Sequence, residues 1–160
     1  MLYGNILYHF QAGYFTLLSD NHYIRKILFG KHELGEDAVL APEHPLLQEA
    51  ARQLNEYFDG KRQTFALPVC PDGTDFQKSV WNALQQIPYG ETWSYAQMAA
   101  FIGRPKAARA VGNACNKNPI VIVNPCHRII GADGTLTGFG GGLALKQWLL
   151  ELESTNNPIK

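Results

Sequence analysis

A cysteine and a histidine stand next to each other in the segment Pro125-Cys126-His127-Arg128, directly after a run of apolar residues. An imidazole beside a thiol can accept the thiol proton, either directly or through a water molecule. Glu153, further along the chain, supplies a carboxylate that is able to orient the imidazole. Cys126, His127 and Glu153 therefore predict a nucleophilic thiol with a complete activation relay.

The cysteine–histidine pair alone does not establish a reactive thiol, because a cysteine after an apolar strand is more often an inert packed residue. The chain holds three cysteines, Cys70, Cys115 and Cys126, without CxxC spacing. An odd number without that spacing indicates neither a disulfide framework nor a clustered zinc site. We therefore expect no metal, structural roles for Cys70 and Cys115, and one reactive thiol.

Basic residues are concentrated in the segment from Thr92 to Ala132, although the formal net charge of the whole chain is zero. This segment contains no aspartate or glutamate, and its basic residues are Arg104, Lys106, Arg109, Lys117 and Arg128. A neutral total argues against nucleic-acid binding, but a local excess of lysine and arginine is what a phosphate backbone requires. The segment is therefore a candidate DNA surface.

The first part of the chain predicts a small antiparallel sheet followed by a helix. The β-like runs are Ile6 to Phe10, Tyr14 to Leu18 and Tyr23 to Phe29. After a loop, apolar residues recur at helical spacing between Pro45, which suits a first helical turn, and Gly60, which suits a stop. We expect this domain to comprise residues 1–70.

The second domain, residues 71–160, is predicted to be mostly helical. One helix is expected to begin at Thr74 with Gln77 completing a capping box, and Ser94 is expected to cap a short second helix. The other predicted elements are a turn at Gly103-Arg104-Pro105, a helix from Lys106 to Asn116, a buried strand Ile120–Val123 and a last helix from Leu143 to about Glu153. Helix, glycine turn and helix fit either a DNA-binding helix-turn-helix or a plain αα-hairpin.

The composition is that of a globular protein, since 46% of the 160 residues are hydrophobic and 18% are charged. No apolar run is long enough to cross a membrane, and the start of the chain lacks signal-peptide features. We expect a two-part α+β protein that is monomeric and cytoplasmic, or nuclear in a eukaryote.

Several longer motifs occur together between Thr74 and Glu153. They are the block from Asn118-Pro119 to Arg128, Ile87-Pro88-Tyr89-Gly90, Ser94-Tyr95, the segment Arg104 to Gly112, and Gly141-Gly142-Leu143 with Lys146 and Trp148. In these motifs the chain resembles the O6-alkylguanine-DNA alkyltransferases, also called methylated-DNA-protein-cysteine methyltransferases. The resemblance implies DNA repair by one irreversible transfer of an alkyl group from O6-alkylguanine, and from O4-alkylthymine if accepted, without a cofactor.

The resemblance assigns roles to the relay and to one tyrosine. It implies that Cys126 is the alkyl acceptor, that His127 is its base through a water molecule, and that Glu153 orients His127. Tyr95 matches a tyrosine near the flipped guanine, where its hydroxyl helps to neutralise the leaving base. A tyrosine at the start of a helix is also an ordinary core aromatic, and that alternative stays open.

The resemblance also implies how the protein binds double-stranded DNA. Arg109 matches an arginine that fills the gap left when the alkylated guanine rotates out, and small neighbours allow the helix to approach the minor groove. The DNA-contacting set is predicted to be Arg109, Ala107, Ala108, Ala110, Gly112 and Arg128. Alanine-rich sequence also favours helix formation and tight packing for its own sake.

The predicted substrate pocket comprises Phe139, Gly140 and Asn118. Phe139 and Gly140 depart from the family pattern, in which many relatives carry Tyr and some carry Ser, so the range of alkyl groups accepted is open. Asn118 matches an asparagine at the junction between the recognition helix and the active-site segment. Cysteine and histidine zinc ligands found in some relatives have no counterpart here.

Two other classes of protein compete with this interpretation. A cysteine hydrolase or amidase would use the same Cys126 and His127 for acyl transfer, but it leaves the basic helix unexplained. A non-catalytic lesion binder would use the same helix-turn-helix, but such alkyltransferase-like proteins lack the acceptor cysteine that is present here.

Overall fold

The computed structural model describes residues 1–156, and its contacts divide the chain into two compact units. The first unit comprises Met1–Asp72 together with Pro119–Val121, and the second comprises Gly73–Asn118 and the chain from Ile122 onward. The predicted functional division, into a first domain of residues 1–70 and a DNA-binding, alkyl-acceptor domain of residues 71–160, stays a prediction.

The first unit contains a four-stranded sheet with the strand order β3-β2-β1-β4. Its strands are β1 (Leu2–His9), β2 (Gly13–Ser19), β3 (Ile24–Phe29) and β4 (Ala38–Leu40). The predicted antiparallel pairing of the first three strands is confirmed, whereas β4 lies parallel to β1 in a segment that was expected to be a loop. A three-residue strand is too short to show an alternating apolar pattern.

Helix α1 (Pro45–Phe58) covers the sheet of the first unit and begins and ends where the sequence predicts. Pro45 occupies its first turn, where a missing N–H costs nothing, and the ring of His44 accepts a hydrogen bond from the N–H of Leu46. Gly60 follows the helix with a positive φ of 76°. The buried face of α1 packs on the strands, and the rings of Phe58 and Phe15 stack at 5.1 Å.

Short helices dominate the second unit. They are α2 (Asp75–Leu84), α3 (Tyr95–Phe101), α4 (Ala108–Asn116) and α5 (Leu143–Thr155), with a small parallel pair formed by β5 (Trp93–Ser94) and β6 (Ile129–Ile130). Both predicted caps are confirmed, since Thr74 and Ser94 each form a complete capping box with the glutamine three residues later. Helix α4 begins two residues later than predicted, because the N–H of Ala107 closes a turn on the carbonyl of Arg104.

The core of the second unit surrounds the predicted nucleophile. Its buried apolar members are Val80, Trp81, Ala83, Leu84, Ile87, Met98, Ala99, Val111, Ala114 and Ile129, together with Cys126. The indole N–H of Trp81 donates to the carbonyl of Ala114 at 2.8 Å and so ties α2 to α4. Tight packing of this kind holds the segment around Cys126 in one conformation.

The prediction of a buried strand at Ile120–Val123 is wrong. Ile120 forms only an isolated bridge to Ile27, the N–H of Val121 donates to the carbonyl of Ile27 at 3.0 Å, and the chain then turns. Ile122 is buried and has a φ of 72°, a left-handed conformation that is costly for a β-branched residue. Four consecutive branched apolar residues favour a strand, but here the chain bends toward the active-site turn instead.

Within residues 1–156, no helix is long and apolar enough to span a membrane. The same residues contain no group of three or more histidine, cysteine or acidic side chains placed to hold a metal ion.

The backbone strain at Ile122 yields a stability prediction. Glycine adopts a positive φ without steric cost, whereas any L side chain there costs about 1–2 kcal/mol. We expect Ile122→Gly to be more stable than Ile122→Ala by about 0.5–1 kcal/mol in equilibrium urea unfolding. The same pair of substitutions at buried Val121, which lacks a positive φ, should show alanine as the more stable residue. Alanine more stable than glycine at position 122 would contradict the strain.

Candidate active site

Cys126 is the first residue of a single 3₁₀ turn, Cys126–Arg128, and its side chain is buried in the core of the second unit. The turn is held by the side chain of Asn118, whose amide donates to the carbonyl of Asn124 at 2.7 Å. The side-chain amide of Gln85 in turn donates to the side-chain oxygen of Asn124 at 2.7 Å. Asn118 thus holds the junction before the nucleophile, in addition to any contact it makes with substrate.

Glu153 on α5 is buried and accepts hydrogen bonds from three directions. Its carboxylate receives the Nε2–H of His127 at 2.6 Å and the Nε–H of Arg128 at 2.8 Å. The N–H of Gly90 also donates to it at 3.2 Å. A carboxylate with this many donors is fixed in position, and it fixes both side chains of the turn.

The hydrogen bond to Glu153 selects the tautomer of His127. A carboxylate can only accept, so Nε2 of His127 carries the hydrogen. In a neutral imidazole the other nitrogen, Nδ1, then keeps its lone pair and is the atom that can take up a proton. Because Glu153 holds the ring in this orientation, the predicted relay from Glu153 to His127 has the geometry of an oriented general base.

Burial and ion pairing set the charges of this pair. Burial raises the pKa of Glu153, but the neighbouring His127 and Arg128 outweigh that effect, and the pKa of the carboxyl lies well below its usual value. Burial lowers the pKa of His127, and the attraction of Glu153 only partly opposes it. The resting site therefore contains an ionised Glu153, a charged Arg128 and a neutral imidazole.

The prediction that Arg128 contacts DNA needs correction. Its side chain is 7% exposed, and the guanidinium donates to Glu153 and, at 2.7 Å, to the carbonyl of Ile87. It also lies over the ring of Tyr89, 5.6 Å from the ring centre. Arg128 thus links the active-site turn to Glu153 in the interior of the second unit. The motif Ile87-Pro88-Tyr89-Gly90 holds its guanidinium through the carbonyl of Ile87 and the ring of Tyr89.

Burial and nearby polar groups act in opposite directions on the pKa of Cys126, the predicted nucleophile. Burial raises the pKa of the Cys126 thiol above its usual value, whereas a hydrogen bond from Asn118 and the positive charge of Lys146 act in the opposite direction. Cys115 on α4 packs against the same core, and burial together with the nearby Cys126 raises its pKa to about 12. Cys126 is thus the thiol that has a hydrogen-bond donor, Asn118, to oppose the effect of burial.

Tyr95, the first residue of α3, lies beside the two thiols and is partly buried. Its hydroxyl shares a hydrogen bond of 2.5 Å with the hydroxyl of Thr137. Burial raises the pKa of Tyr95, so its hydroxyl remains protonated and available as a donor. Gly112 faces the ring, since a Cβ at that position would lie 3.5 Å from Cε1 of Tyr95.

The segment that precedes α5 forms the remaining wall of the site. Phe139 is partly buried and packs against the core that contains Cys126, while Gly140 is exposed. The ammonium of Lys146 lies 5.7 Å from the centre of the Phe139 ring. The structure thus brings Phe139 and Asn118 to the surroundings of the thiol and leaves Gly140 at the surface.

The other predicted DNA-contacting residues lie along α4 and at its start. Arg109 and Ala110 are exposed, whereas Ala107 and Ala108 are partly covered. Three further basic residues of the segment, Arg104, Lys106 and Lys117, are exposed as well. The exposed side of α4 therefore carries one cation flanked by small residues, next to the helix face that meets Tyr95.

Sequence reasoning missed four residues of the site. They are Arg128 in its internal role on Glu153, Lys146, Thr137 and Asn124. Lysine and arginine are usually at surfaces, so their type gives no signal of burial. Only the unusual position of Lys146 on the inner face of α5, at helical spacing from buried Leu149 and Glu153, carries such a signal.

Comparison with protein families gives two matches along the chain. Residues 75–155 match the model for the 6-O-methylguanine DNA methyltransferase DNA binding domain. Residues 2–71 match the model for the ribonuclease-like domain of 6-O-methylguanine DNA methyltransferase.

Individual relatives agree with these matches. A methylated-DNA–protein-cysteine methyltransferase of Methanosarcina barkeri is 54% identical over 129 residues, which cover 81% of this chain and 82% of that protein. A protein of the same name from Haemophilus influenzae is 44% identical over 145 residues, covering 89% of this chain and 81% of that one. The crystal structure of Mycobacterium tuberculosis OGT in complex with DNA superposes with a TM-score of 0.87 at 41% identity, covering 98% of this chain and 94% of that chain.

The lowered pKa of His127 predicts a pH dependence of stability. As the pH falls below about 6.5, the usual pKa of histidine, the unfolded chain binds this proton while the folded protein does not. The free energy of unfolding should therefore decrease toward acid, by up to about 1.4 kcal/mol per pH unit for this proton. His127→Gln should flatten the slope between pH 6.5 and 5, measured by urea unfolding, whereas His22→Gln, an exposed control, should keep it. An unchanged slope in His127→Gln would mean that the imidazole has the same pKa in the folded and unfolded chains, and would contradict the lowered pKa.

Proposed function

This chain belongs to the 6-O-methylguanine DNA methyltransferase family, and from that premise we propose that Cys126 is the residue that accepts the alkyl group. The family establishes the coarser function, which is repair of methylated DNA by direct transfer to a cysteine of the protein. The prediction of this activity from the sequence is confirmed, and so is DNA as the partner. The observation that carries the proposal is the oriented His127–Glu153 pair next to a buried, ionisable thiol.

The reaction is an in-line displacement at the alkyl carbon. The thiol proton of Cys126 passes through a water molecule to Nδ1 of His127, whose ring Glu153 holds in the correct tautomer. The sulfur then forms a bond to the alkyl carbon as the bond from that carbon to O6 breaks, and the electron pair stays with guanine. No redox change occurs, and no cofactor takes part.

The leaving guanine needs a proton or a hydrogen-bond donor as negative charge develops on it. Tyr95 is suited to this role, because its hydroxyl is protonated and lies among the groups that surround Cys126. The hydroxyl of Thr137 orients the phenol through the hydrogen bond between them. Phe139 supplies an apolar wall against the alkyl group.

We propose that the transfer occurs once per chain. Attack on an alkyl carbon leaves a thioether, which has no carbonyl for water to attack and a poor leaving group. S-methylcysteine at position 126 therefore persists inside a tightly packed core. The added methyl group is expected to lower the stability of the protein by about 1–3 kcal/mol, as overpacking of a core does.

The exposed side of α4 is the proposed DNA surface, in a helix-turn-helix formed by α3 and α4. Its small residues allow close approach to the minor groove, and Arg109 enters the base stack when the alkylated nucleotide rotates out. Arg104, Lys106 and Lys117 are exposed cations that can contact phosphates. With Arg128 removed from this surface, the proposed DNA-contacting set is Arg109, Ala107, Ala108, Ala110 and Gly112, together with the phosphate-binding cations.

The range of substrates, the oligomeric state and the cellular location remain predictions. Action on O4-alkylthymine depends on the wall formed by Phe139 and on exposed Gly140. A monomeric state and a cytoplasmic location rest on the composition and the sequence pattern.

Removal of the acceptor thiol provides the direct test of the proposed function. Cys126→Ala should abolish methyl transfer from duplex DNA that contains O6-methylguanine, because no other thiol near the relay ionises readily. Binding to the same DNA should be retained, since the phosphate contacts come from other residues. The measurements are mass analysis of the protein after incubation and a DNA-binding titration.

A cysteine of the first unit supplies the matched control for that test. Cys70→Ser should transfer as the unmodified protein does, because Cys70 belongs to the other unit. Methyl transfer by the Cys126→Ala protein would show that the acceptor is wrongly assigned.

Arg109→Ala should separate DNA unstacking from the chemical step. We expect repair of duplex DNA to slow by roughly tenfold or more, because flipping a base costs a few kcal/mol that the inserted side chain offsets. The rate with free O6-benzylguanine, which needs no flipping, should stay unchanged. Lys117→Ala, which removes another exposed cation after the end of the same helix, is the control and should affect only DNA affinity. Equal losses on both substrates in Arg109→Ala would assign Arg109 to the pocket or the fold.

A further inference from the structure

Lys146 is an unusual lysine, because its side chain is only 1% exposed. Burying an ammonium ion costs several kcal/mol unless an anion or several acceptors compensate it. Its Nζ donates to the carbonyl of Ile129 at 2.5 Å, and the ring of Phe139 lies on another side. A hydrogen bond to a carbonyl explains a buried donor, but it does not explain a buried positive charge.

No carboxylate supplies the missing charge, since no ion pair of Lys146 is found among residues 1–156. Burial lowers the pKa of Lys146, and the groups that oppose this shift are the thiols of Cys126 and Cys115. Cys115 has its pKa raised to about 12 and remains a neutral thiol. Cys126 is therefore the group whose ionisation compensates the charge of Lys146.

We propose that Lys146 is the buried counter-ion of the Cys126 thiolate and raises the fraction of that thiolate from which alkyl transfer starts. The proposal rests on the function proposed above, and it adds a residue that acts on the sulfur itself. Lys146, Ile129 and Phe139 all lie at the core that contains Cys126, so the ammonium is held there by a carbonyl and an aromatic face.

The counter-ion complements the relay of His127 and Glu153. Once His127 has received the thiol proton, its ring is positively charged, but the carboxylate of Glu153 bonded to it at 2.6 Å offsets that charge. Lys146 stabilises the anion left on sulfur without taking part in proton transfer. Its charge also lowers the pKa of His127, which keeps the imidazole neutral before the transfer.

Three of the helices packed around Cys126 contribute a titratable group to its surroundings, whereas α2 contributes apolar side chains. Tyr95 of α3 and Cys115 of α4 are both neutral, since each has a raised pKa. Lys146 of α5 is thus the cation that these helices direct toward the sulfur. Opposite charges within a few ångströms shift a pKa by about 1–3 units, and burial limits screening by salt.

The test measures thiolate formation at Cys126 without DNA. The rate at which iodoacetamide modifies Cys126, followed by peptide mass analysis from pH 5 to 11, reports the midpoint of thiolate formation. Lys146→Gln keeps a donor for the carbonyl of Ile129 but removes the charge. We expect its midpoint to rise by about 1–2 pH units and its rate at pH 7 to fall about 10–100-fold.

Two further variants define the result. Lys146→Arg keeps the charge and should have a midpoint near that of the unmodified protein, whereas Lys78→Gln removes an exposed charge on α2 and should change nothing. An unshifted midpoint in folded Lys146→Gln would overturn the proposal and leave Lys146 as a structural donor.

A reciprocal measurement does not depend on the folding of any Lys146 variant. If the two charges interact, replacing Cys126 by serine must lower the pKa of Lys146, measured from its ¹³Cε resonance. Equal lysine pKa values in the unmodified and Cys126→Ser proteins would also overturn the proposal. Failure of the proposed function appears separately, as absence of methyl transfer from DNA to an unmodified protein whose thiolate still depends on Lys146.

Discussion

The active site depends on the hydrogen bonds and ion pairs of one buried carboxylate, that of Glu153. It fixes the ring and tautomer of His127, it pairs with the guanidinium of Arg128, and it accepts the N–H of Gly90. A buried ion pair is costly to assemble, and removing one partner leaves the other charge uncompensated. Substitution of Glu153 therefore removes the orientation of the base and the anchoring of the turn together.

The second constraint is that an alkyl acceptor has to be a thiolate inside an apolar core. Burial opposes ionisation of Cys126, and the same burial excludes water and shapes the alkyl pocket. The chain meets both demands by placing polar side chains at fixed positions near Cys126. In the proposed mechanism Asn118 donates a hydrogen bond, His127 accepts the proton, and Lys146 supplies charge. The strained conformation of Ile122 shows the cost of bending the chain into this turn.

Residue type and local spacing were sufficient to predict the starts of α2 and α3 and the pairing of His127 with Glu153, whereas the role of Cys126 in the relay stays a prediction. The sequence did not reveal burial of charge. Arg128 was assigned to the DNA because arginine is typical of phosphate contacts, and its place on Glu153 follows from contacts distant in sequence. The strand predicted at Ile120–Val123 failed for a similar reason, since tertiary packing overrode local β-propensity there.

The central claim is that Cys126 takes up one alkyl group and keeps it. Duplex DNA containing O6-methylguanine, titrated in excess against a known amount of the protein, measures this directly when the modified peptide is located by mass. The account predicts a plateau at one methyl group per chain, carried as a thioether on Cys126. Continued demethylation beyond that ratio, with Cys126 recovered unmodified, would contradict it and indicate a hydrolytic mechanism.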